Sequence, residues 1–472
     1  MYRPRWDPDC ARLRRGNGSF VPFPACAWKH LVPVSLDCTY RLRIPHRQGK
    51  LAIVTGAIGE HGGLIGDVVT VTLGREASIR DITIEARDDD HAEELAEALD
   101  ELDDIDVVWH RDRALLRHEG GKIEIRPCTP VRTVQDSRDF YTPGVARVAQ
   151  AIADDPSLAR RYTWSGRSVA ICTNGTRVLG LGDIGPRAAA PVMEGKALFY
   201  AEFAGLSAVP ILIDTADTDE FVETVLRIAP SFGGIHLEDI SAPECFEIEA
   251  RLLDALPQPV MHDDVHGTAV VTVAAALVGC RHTDRSLEDV VVGQVGLGAA
   301  GYGTAALMVR AGARKVLGSD LDEASQKRAR EAGVEIRSLE ELMNEADVVV
   351  ATTGRPGLIE PPMVREGQVI LALSNPDPEI SSEKALEAGA AFASDGSIVN
   401  NMLGYPGIFR GALEAGAEEI SVPMKLAAAR AIADLTHESE LVPDPLDRKV
   451  HERVAQAVRE SAARTAGQAA SD

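Results

Sequence analysis

Short apolar runs alternate with polar, helix-like stretches over the C-terminal half of the chain. The runs VVVGQVG, KVLGS, DVVVA and VILAL each end at small or polar residues, and stretches such as EASQKRAREAG separate them. Alternating strands and helices at this spacing are typical of an α/β domain with a doubly wound parallel sheet. The last stretch, DRKVHERVAQAVRESAARTA, has the spacing of one closing amphipathic helix.

The pattern between Asp37 and His110 is more compact. Strand-like CTYRLRI, helix-like GKLAIVTGAIGEHGG, strand-like DVVTVTL and SIRDITIEA, helix-like HAEELAEALD and strand-like IDVVW follow one another. This βαββαβ order is the ferredoxin-like arrangement. The segment resembles the ACT domain, most of all in its loop EHGGLIGDV, and the resemblance implies a paired regulatory module that binds an amino acid or another small effector near Gly62 and Gly63. A dimerisation module without a ligand is the alternative, since fold does not fix function.

Length, charge and cysteine content restrict the class of protein. A chain of 472 residues is too long for one hydrophobic core, because such cores stop growing beyond about 250–300 residues. The formal net charge of −23 argues against nucleic-acid and membrane-surface partners, which need a basic face. The 7 cysteines are odd in number and show no CxxC spacing, which predicts reduced thiols in a cytoplasmic protein. No apolar run reaches the roughly 18 residues of a membrane-spanning helix.

A glycine-rich turn follows the strand-like run VVVGQV. The first glycine of this GxGxxG pattern permits a tight turn, the second lets the backbone approach a pyrophosphate, and the third lets helix and strand pack closely. An acid that ends the next strand would bind the ribose hydroxyls and repel a 2′-phosphate, which favours NAD and leaves NADP as the alternative. The predicted cofactor-binding residues are Gly296, Gly298, Ala299, Ala300, Gly301 and Asp320.

Two pairs of acidic residues also end apolar runs. Glu238-Asp239 follows GGIHL, and Asp263-Asp264 follows PVMH. Ligand sites of α/β folds collect at the carboxyl ends of strands, and acids brought together there repel one another unless a cation neutralises them. Oxygen ligands suit Mg²⁺ or Mn²⁺ rather than zinc. Taken alone, each pair could equally be a helix cap or a solvated turn. We interpret His262 and His266, which flank the second pair, as supporting or structural residues.

Six blocks of the sequence resemble malic enzymes. They are FYTPGVA, NGTRVLGLGDIGPRAAAPVMEGKALFY, GGIHLEDISAPECFEIE, VMHDDVHGTA, LSNPDPE and VNNMLGYPGIFRGAL, and the resemblance covers about Cys128 to Thr465. The resemblance implies oxidation of L-malate with a nicotinamide dinucleotide, loss of CO2 and formation of pyruvate. It also implies a homo-oligomer, a dimer or larger.

The resemblance assigns roles to single residues of these blocks. Tyr141 falls on the general acid that protonates enolpyruvate, and Lys196 falls on the general base that takes the proton of the C2 hydroxyl. Lys196 lies between apolar stretches, and we expect burial and a neighbouring divalent cation to favour the neutral form that a base needs. The implied metal ligands are Glu238, Asp239 and Asp264, with Asp263 beside them as a supporting catalytic acid. The implied substrate-binding residues are Arg177, Asn375, Asn400 and Asn401, and Asn375 also falls on a nicotinamide contact.

The patterns and the resemblance together divide the chain into four predicted segments. They are an N-terminal tail over 1–36, the ACT-like domain over 37–112, a malic-enzyme N-terminal catalytic domain over 113–260 and a Rossmann-type NAD-binding domain over 261–472. Two other functions stay open. A malolactic-type enzyme would convert malate to lactate with no net NADH, and a non-catalytic protein would use only the effector-binding segment.

Overall fold

The computed structural model describes residues 36–178, 180–374, 377–395, 400–437 and 440–469. The chain forms two compact units, Met1–Glu119 and Gly120–Asp472. The predicted N-terminal tail lies, apart from Leu36, outside the described residues. The predicted domain limits at 112 and 260 stay predictions.

The first unit has the predicted order of elements. In chain order these are β1 (Leu36–Pro45), α1 (Lys50–Glu60), β2 (Leu64–Leu73), β3 (Ala77–Ala86), α2 (Asp89–Asp100), β4 (Asp106–Asp112) and α3 (Arg113–His118). The strands form an antiparallel sheet in the order β2-β3-β1-β4. Alternate residues of the central strands, including Tyr40, Leu42 and Ile82, pack with Leu95 and Leu99 of α2 into a separate hydrophobic core.

The second unit begins with three exposed helices. They are α4 (Val134–Phe140), α5 (Gly144–Asp154) and α6 (Ala159–Tyr162), and none of them has a buried residue. Strands and helices then alternate, in the order β5 (Ser168–Thr173), α7 (Gly185–Phe199), β6 (Ser207–Leu212), α8 (Thr218–Ile228), β7 (Gly234–Leu237), α9 (Glu244–Ala255) and β8 (Val260–His262), and the four strands form a parallel sheet. Its strand order is β6-β5-β7-β8. Single π-helical turns, Tyr200–Ala204 and Asp263–Gly267, follow α7 and β8.

The helix α10 (Thr268–His282) leads from this sheet into the next. By length and composition, Asp263–His282 could cross a membrane, but 78% of its most apolar window is buried inside the protein. It packs in the largest hydrophobic core with residues of both sheets, such as Val169 and Val292. It is therefore the helix that ties the two sheets of this unit together.

The last sheet is doubly wound and parallel, as the sequence predicts. Its elements are β9 (Val291–Val295), α11 (Ala299–Ala311), β10 (Lys315–Ser319), α12 (Glu323–Glu331), β11 (Glu335–Ile336), α13 (Leu339–Glu345), β12 (Val348–Ala351), β13 (Val369–Ala372), α14 (Ser382–Glu387) and β14 (Phe392–Asp395), followed by α15 (Tyr405–Ala415), α16 (Val422–Asp434) and α17 (Arg448–Ala469). The strand order is β11-β10-β9-β12-β13-β14. The order reverses between β9 and β12, which is where α/β sheets of this type bind their ligands.

Candidate active site

The two acidic pairs meet at one edge of the smaller parallel sheet. β7 and β8 pair in parallel, and their last partners, Leu237 and His262, come directly before the acids. The carboxylates of Glu238, Asp239 and Asp264 each place an oxygen within 4.8 Å of the others. Asp239 has the left-handed φ of 54°, and its backbone N–H donates to Asp264 Oδ2 at 2.9 Å. An aspartate tolerates this backbone better than most residues, and the bend turns both acids of the first pair toward the second.

This group of acids carries more negative charge than its surroundings can stabilise. Burial, opposed in part by Lys196, raises the pKa of Glu238 to about 8. Burial, together with the charges of Glu238 and Asp264, raises the pKa of Asp239 to about 9. Asp239 Oδ2 is buried and has no hydrogen-bond partner among the described residues. Buried carboxylates with an unpaired oxygen fit a divalent cation, which would pair with that oxygen and favour the ionised forms.

Lys196 lies beside the acids, near the C-terminal end of α7. Its side chain is 10% exposed, and Nζ lies 2.6 Å from Asp263 Oδ2 and 2.9 Å from Glu238 Oε1. The ammonium also lies 4.6 Å from the centre of the Tyr405 ring. Burial lowers the pKa of Lys196, but the charges of Asp263 and Glu238 outweigh it and hold this pKa above its ordinary value. Burial alone therefore does not make this lysine neutral, because two carboxylates accompany it. The expectation that burial and a neighbouring divalent cation together favour the neutral form stays a prediction.

Asp263 is the fully buried partner of that lysine. Burial raises the pKa of Asp263 to about 6, against the opposing charge of Lys196. Its Oδ1 has no hydrogen-bond partner among the described residues. A side chain at Gly267, on the same π-helical turn, would overlap the Asp263 carboxylate. The glycine therefore leaves the space in which Asp263 reaches Lys196.

Glu249 of α9 holds the turn that carries Asp263 and Asp264. Its Oε1 accepts the backbone N–H of His262 at 2.7 Å, and its Oε2 lies 3.0 Å from His266 Nε2. His262 Nδ1 lies 3.6 Å from Asp264 Oδ2. Both histidines thus contact acids around the site. The sequence contains no signal for Glu249, because the hydrogen bonds join residues 13 and 17 positions apart.

The glycine-rich turn has the shape that a dinucleotide needs. Gly296 has φ 86°, and a side chain at Gly301 would overlap the Gly296 carbonyl group. A side chain at Gly298 would meet nothing within 4 Å, so open space lies in front of the N-terminus of α11. Ala299 and Ala300 form the first turn of that helix. The carboxylate of Asp320 accepts the backbone N–H of Leu297 at 2.6 Å, which fixes the acid beside the turn.

Comparison with known proteins agrees with this geometry. The family model for the malic enzyme N-terminal domain matches residues 121–253. The chain is 50% identical over 426 residues to NAD-dependent malic enzyme 1 of Bacillus subtilis, and the match covers 90% of this chain and 97% of that protein. The chain belongs to the malic enzyme family.

Other members of the malic enzyme family extend the comparison. The crystal structure of malic enzyme from Pyrococcus horikoshii has 36% identity and a TM-score of 0.71, and the match covers 75% of this chain and 90% of that one. The bifunctional malic/malolactic enzyme of Bacillus subtilis is 40% identical, over 75% of this chain and 93% of its own length.

The residue predicted as the general acid of a malic enzyme is exposed on the surface of this chain. Tyr141 follows α4, and its side chain is 74% exposed. Among the described residues its hydroxyl forms no hydrogen bond. The contacts of Lys196 among the described residues are to Asp263, Glu238 and Tyr405, and the role of Tyr141 stays a prediction.

The predicted substrate contacts fall into three groups. The backbone N–H of Arg177 donates to the carbonyl group of Asp239 at 3.1 Å, so this residue lies beside the acids. Asn400 uses its side-chain oxygen to cap a short helical turn, accepting the backbone N–H of Met402 at 2.9 Å, and the substrate-binding roles of Asn400 and Asn401 stay predictions. Asn375 lies outside the described residues.

Besides Glu249, two residues close to the acids were missed in the sequence. His236 Nε2 lies 2.6 Å from Glu238 Oε2, and His236 Nδ1 lies 2.8 Å from the Tyr200 hydroxyl. Burial lowers the pKa of His236 to about 4, so the ring is neutral. The alternation of side chains along a strand could have paired His236 with Glu238, two positions later. No sequence pattern could have brought Tyr200 to them.

Proposed function

We propose that this chain catalyses the oxidative decarboxylation of L-malate to pyruvate and CO2 with reduction of NAD, and that the reaction depends on a divalent metal. One observation carries the proposal: Lys196 Nζ lies within hydrogen-bonding distance of Asp263 and Glu238, next to the acids that suit a cation. The open glycine-rich turn supplies a separate place for the dinucleotide.

Glu238, Asp239 and Asp264 would hold Mg²⁺ or Mn²⁺. A bound divalent cation would polarise the C2 oxygen of malate and withdraw electrons as CO2 leaves. The unpaired Oδ2 of Asp239 and the raised pKa values of Glu238 and Asp239 support this site. Arg177, at the edge of the acids, would pair with a substrate carboxylate, and Asn401 would orient the substrate.

Lys196 and Asp263 act together on the substrate proton. Nζ takes the proton of the C2 hydroxyl while a hydride leaves C2, and it must first lose a proton of its own. Asp263 Oδ2, at 2.6 Å, is the nearest group that can receive that proton. A cation held by the neighbouring acids would lower the pKa of Lys196 and so favour this transfer, which makes Asp263 the proposed proton acceptor of the base.

NAD rather than NADP is the proposed cofactor. The carboxylate of Asp320 stands beside the glycine-rich turn, where it would bind the ribose hydroxyls and repel a 2′-phosphate. Comparison of kcat/KM for the two dinucleotides tests this preference. A serine in place of Asp320 should reduce it.

Tyr141 completes the site from a second copy of the chain. The helices α4, α5 and α6 have no buried residue, although apolar side chains cover them. The exposed apolar residues of this segment include Val134, Phe140, Val145, Val148, Tyr162 and Trp164. Such a surface favours an interface, and a homo-oligomer formed through it would bring Tyr141 to the acids of the partner. There the hydroxyl would protonate C3 of enolpyruvate.

The first unit is the proposed regulatory part. Its antiparallel βαββαβ sheet and its own core support an ACT-like module that binds an amino acid or another small metabolite near Gly62 and Gly63. The test is a panel of such compounds added to the full chain and to a truncation lacking 1–112. If the full chain and the truncation show equal kinetics with every compound of the panel, the first unit has no regulatory role of this kind.

The malolactic reaction is the second candidate, because one relative is named a bifunctional malic/malolactic enzyme. Absorbance at 340 nm with malate, Mn²⁺ and NAD separates the two reactions. We expect NADH and pyruvate. Lactate without net NADH would favour the malolactic reaction, and no turnover of malate at all would favour a non-catalytic effector-binding protein.

A further inference from the structure

His236 is a buried histidine that no step of the proposed reaction uses. It lies in β7, two residues before Glu238, and is fully buried. Its ring stacks on Phe409 at 5.7 Å and meets the edge of Tyr405 at 5.3 Å. Packing on these faces prevents the ring from turning, so the directions of its two nitrogen atoms are fixed.

Both nitrogen atoms of His236 have partners. Nε2 lies 2.6 Å from Glu238 Oε2, and Nδ1 lies 2.8 Å from the Tyr200 hydroxyl. A neutral imidazole donates through one nitrogen and accepts through the other. Glu238 must be ionised to bind a cation, and an ionised carboxylate only accepts. The Tyr200 O–H therefore donates to Nδ1, and the Nε2–H donates to Glu238.

In this hydrogen-bond arrangement the two carboxylate oxygens of Glu238 have different partners. Oε2 is held by His236, while Oε1 points to Lys196 Nζ at 2.9 Å. We propose that His236, oriented by Tyr200, is a positioning residue that holds Glu238 as a ligand through one oxygen and so sets the affinity of the metal site. The inference rests on the proposed metal site. Such outer partners orient metal ligands in many proteins.

Direct binding of the cation by His236 is the competing arrangement. His236, Glu238 and Asp263 also place one possible ligand atom each within 4.8 Å of one another. However, Lys196 Nζ lies between the two acids, at 2.9 Å from Glu238 and 2.6 Å from Asp263, and its positive charge occupies that position. Direct ligation would also require the other tautomer, in which Nε2 has the lone pair and no longer donates to Glu238 Oε2, 2.6 Å away. The geometry therefore favours positioning.

The test is the affinity for Mn²⁺, measured by electron paramagnetic resonance of free Mn²⁺ on the full chain without malate or NAD. His236→Leu should weaken binding by about 10- to 100-fold. His236→Gln, which keeps an N–H donor, should recover part of that loss. Tyr200→Phe should weaken binding less, because the imidazole loses only the group that fixes its tautomer.

Tyr40→Phe is the matched control. Tyr40 is a buried tyrosine of the first unit, whose hydroxyl donates to the carbonyl group of Ala92 at 2.7 Å. This variant should lose as much thermal stability as Tyr200→Phe and keep the Mn²⁺ affinity of the unchanged chain. A purely structural role of Tyr200 would make the two variants alike in both measurements.

The outcomes separate this inference from the proposed function. If the unchanged chain binds no Mn²⁺, the metal site itself is wrong. If it binds Mn²⁺ and folded Tyr200→Phe and His236→Leu variants bind equally well, positioning by His236 is overturned. A large loss in His236→Leu without recovery in His236→Gln, with full affinity in Tyr200→Phe, would instead indicate direct ligation. If His236→Leu does not fold, the comparison of Mn²⁺ affinity between Tyr200→Phe and Tyr40→Phe decides: weaker binding by Tyr200→Phe supports positioning by His236, and equal binding overturns it.

Discussion

Lys196 Nζ and Asp263 Oδ2 lie 2.6 Å apart, although the two residues are separated by 67 positions in the chain. The lysine comes from α7, and the aspartate comes from the π-helical turn after β8. Their ion pair is buried, so each group decides the protonation of the other. Lys196, the proposed base, thus has a buried carboxylate beside it as its nearest proton acceptor.

Removal of the Lys196 side chain should stop malate oxidation without weakening the binding of NAD. Lys196→Ala lacks the group that takes the hydroxyl proton, and general bases contribute about 10²- to 10⁴-fold to a rate. We expect NADH formation to fall at least that far, while the Kd for NAD, measured by fluorescence, stays unchanged. Lys384→Ala, at an exposed position of α14, is the control and should keep full activity. Near-normal turnover of Lys196→Ala would contradict the assignment of the base.

The metal site should make stability depend on pH and on Mn²⁺ together. In the folded chain the pKa of Glu238 is about 8 and that of Asp239 about 9, both above the ordinary carboxyl value. Their contribution to stability is therefore present below about pH 4 and is lost as the pH rises through 8 and 9. A bound cation restores it. At a hundredfold excess over its Kd, Mn²⁺ should stabilise the fold by about 2.7 kcal/mol.

Thermal melting with Mn²⁺ or EDTA checks that expectation. Because the cation binds the ionised acids, its affinity rises with pH, and a fixed low concentration of Mn²⁺ should raise Tm more at pH 8.5 than at pH 6.5. Glu238→Gln should abolish most of the increase. An increase in Tm that is equal at both pH values would show that these acids do not bind the cation.

Two glycines of the dinucleotide turn should respond differently to alanine. Gly301→Ala would overlap the Gly296 carbonyl group, so the turn must shift and Tm should fall. Gly298→Ala meets no protein atom within 4 Å, so Tm should stay the same. The added methyl group of Gly298→Ala would instead fill the space that the pyrophosphate needs, and the Kd for NAD should rise by about tenfold or more. Equal NAD affinity in Gly298→Ala and the unchanged chain would place the cofactor elsewhere.

Two inactive variants should complement each other if Tyr141 acts across the oligomer. A mixed dimer of Tyr141→Phe and Lys196→Ala chains, purified through two different tags, would contain one site with both residues intact. We expect it to have about half the rate of the unchanged dimer, since one of its two sites works. If Tyr141 and Lys196 act within one chain, both sites are damaged and the mixed dimer is no more active than its parents.

The sequence predicts those parts of the site whose residues come directly after the end of a strand. The acid pairs Glu238-Asp239 and Asp263-Asp264 come directly after buried strands, and parallel pairing of β7 with β8 brings them together. The glycine-rich turn is likewise a local pattern in a strand–turn–helix context. In both cases the side chains are placed by the backbone that immediately precedes them, so a local pattern is sufficient.

Features that join distant elements could not be predicted in this way. The raised pKa of Lys196 depends on Asp263 and Glu238, which come from two other elements, whereas the sequence around Lys196 indicates only burial. The hydrogen bonds of Glu249 and of the Tyr200–His236 pair also cross from one element to another. The exposure of Tyr141 depends on how α4 to α6 pack, which a resemblance between sequences does not specify.

The most direct test uses malate labelled with ¹³C at C4, the carboxyl carbon that is lost, together with Mn²⁺ and NAD. The chain should release labelled CO2, pyruvate and NADH in equal amounts, and the same mixture with Lys196→Ala should release none of them. Unlabelled CO2, lactate in place of pyruvate, or labelled CO2 formed at the same rate by Lys196→Ala would contradict the account of this site.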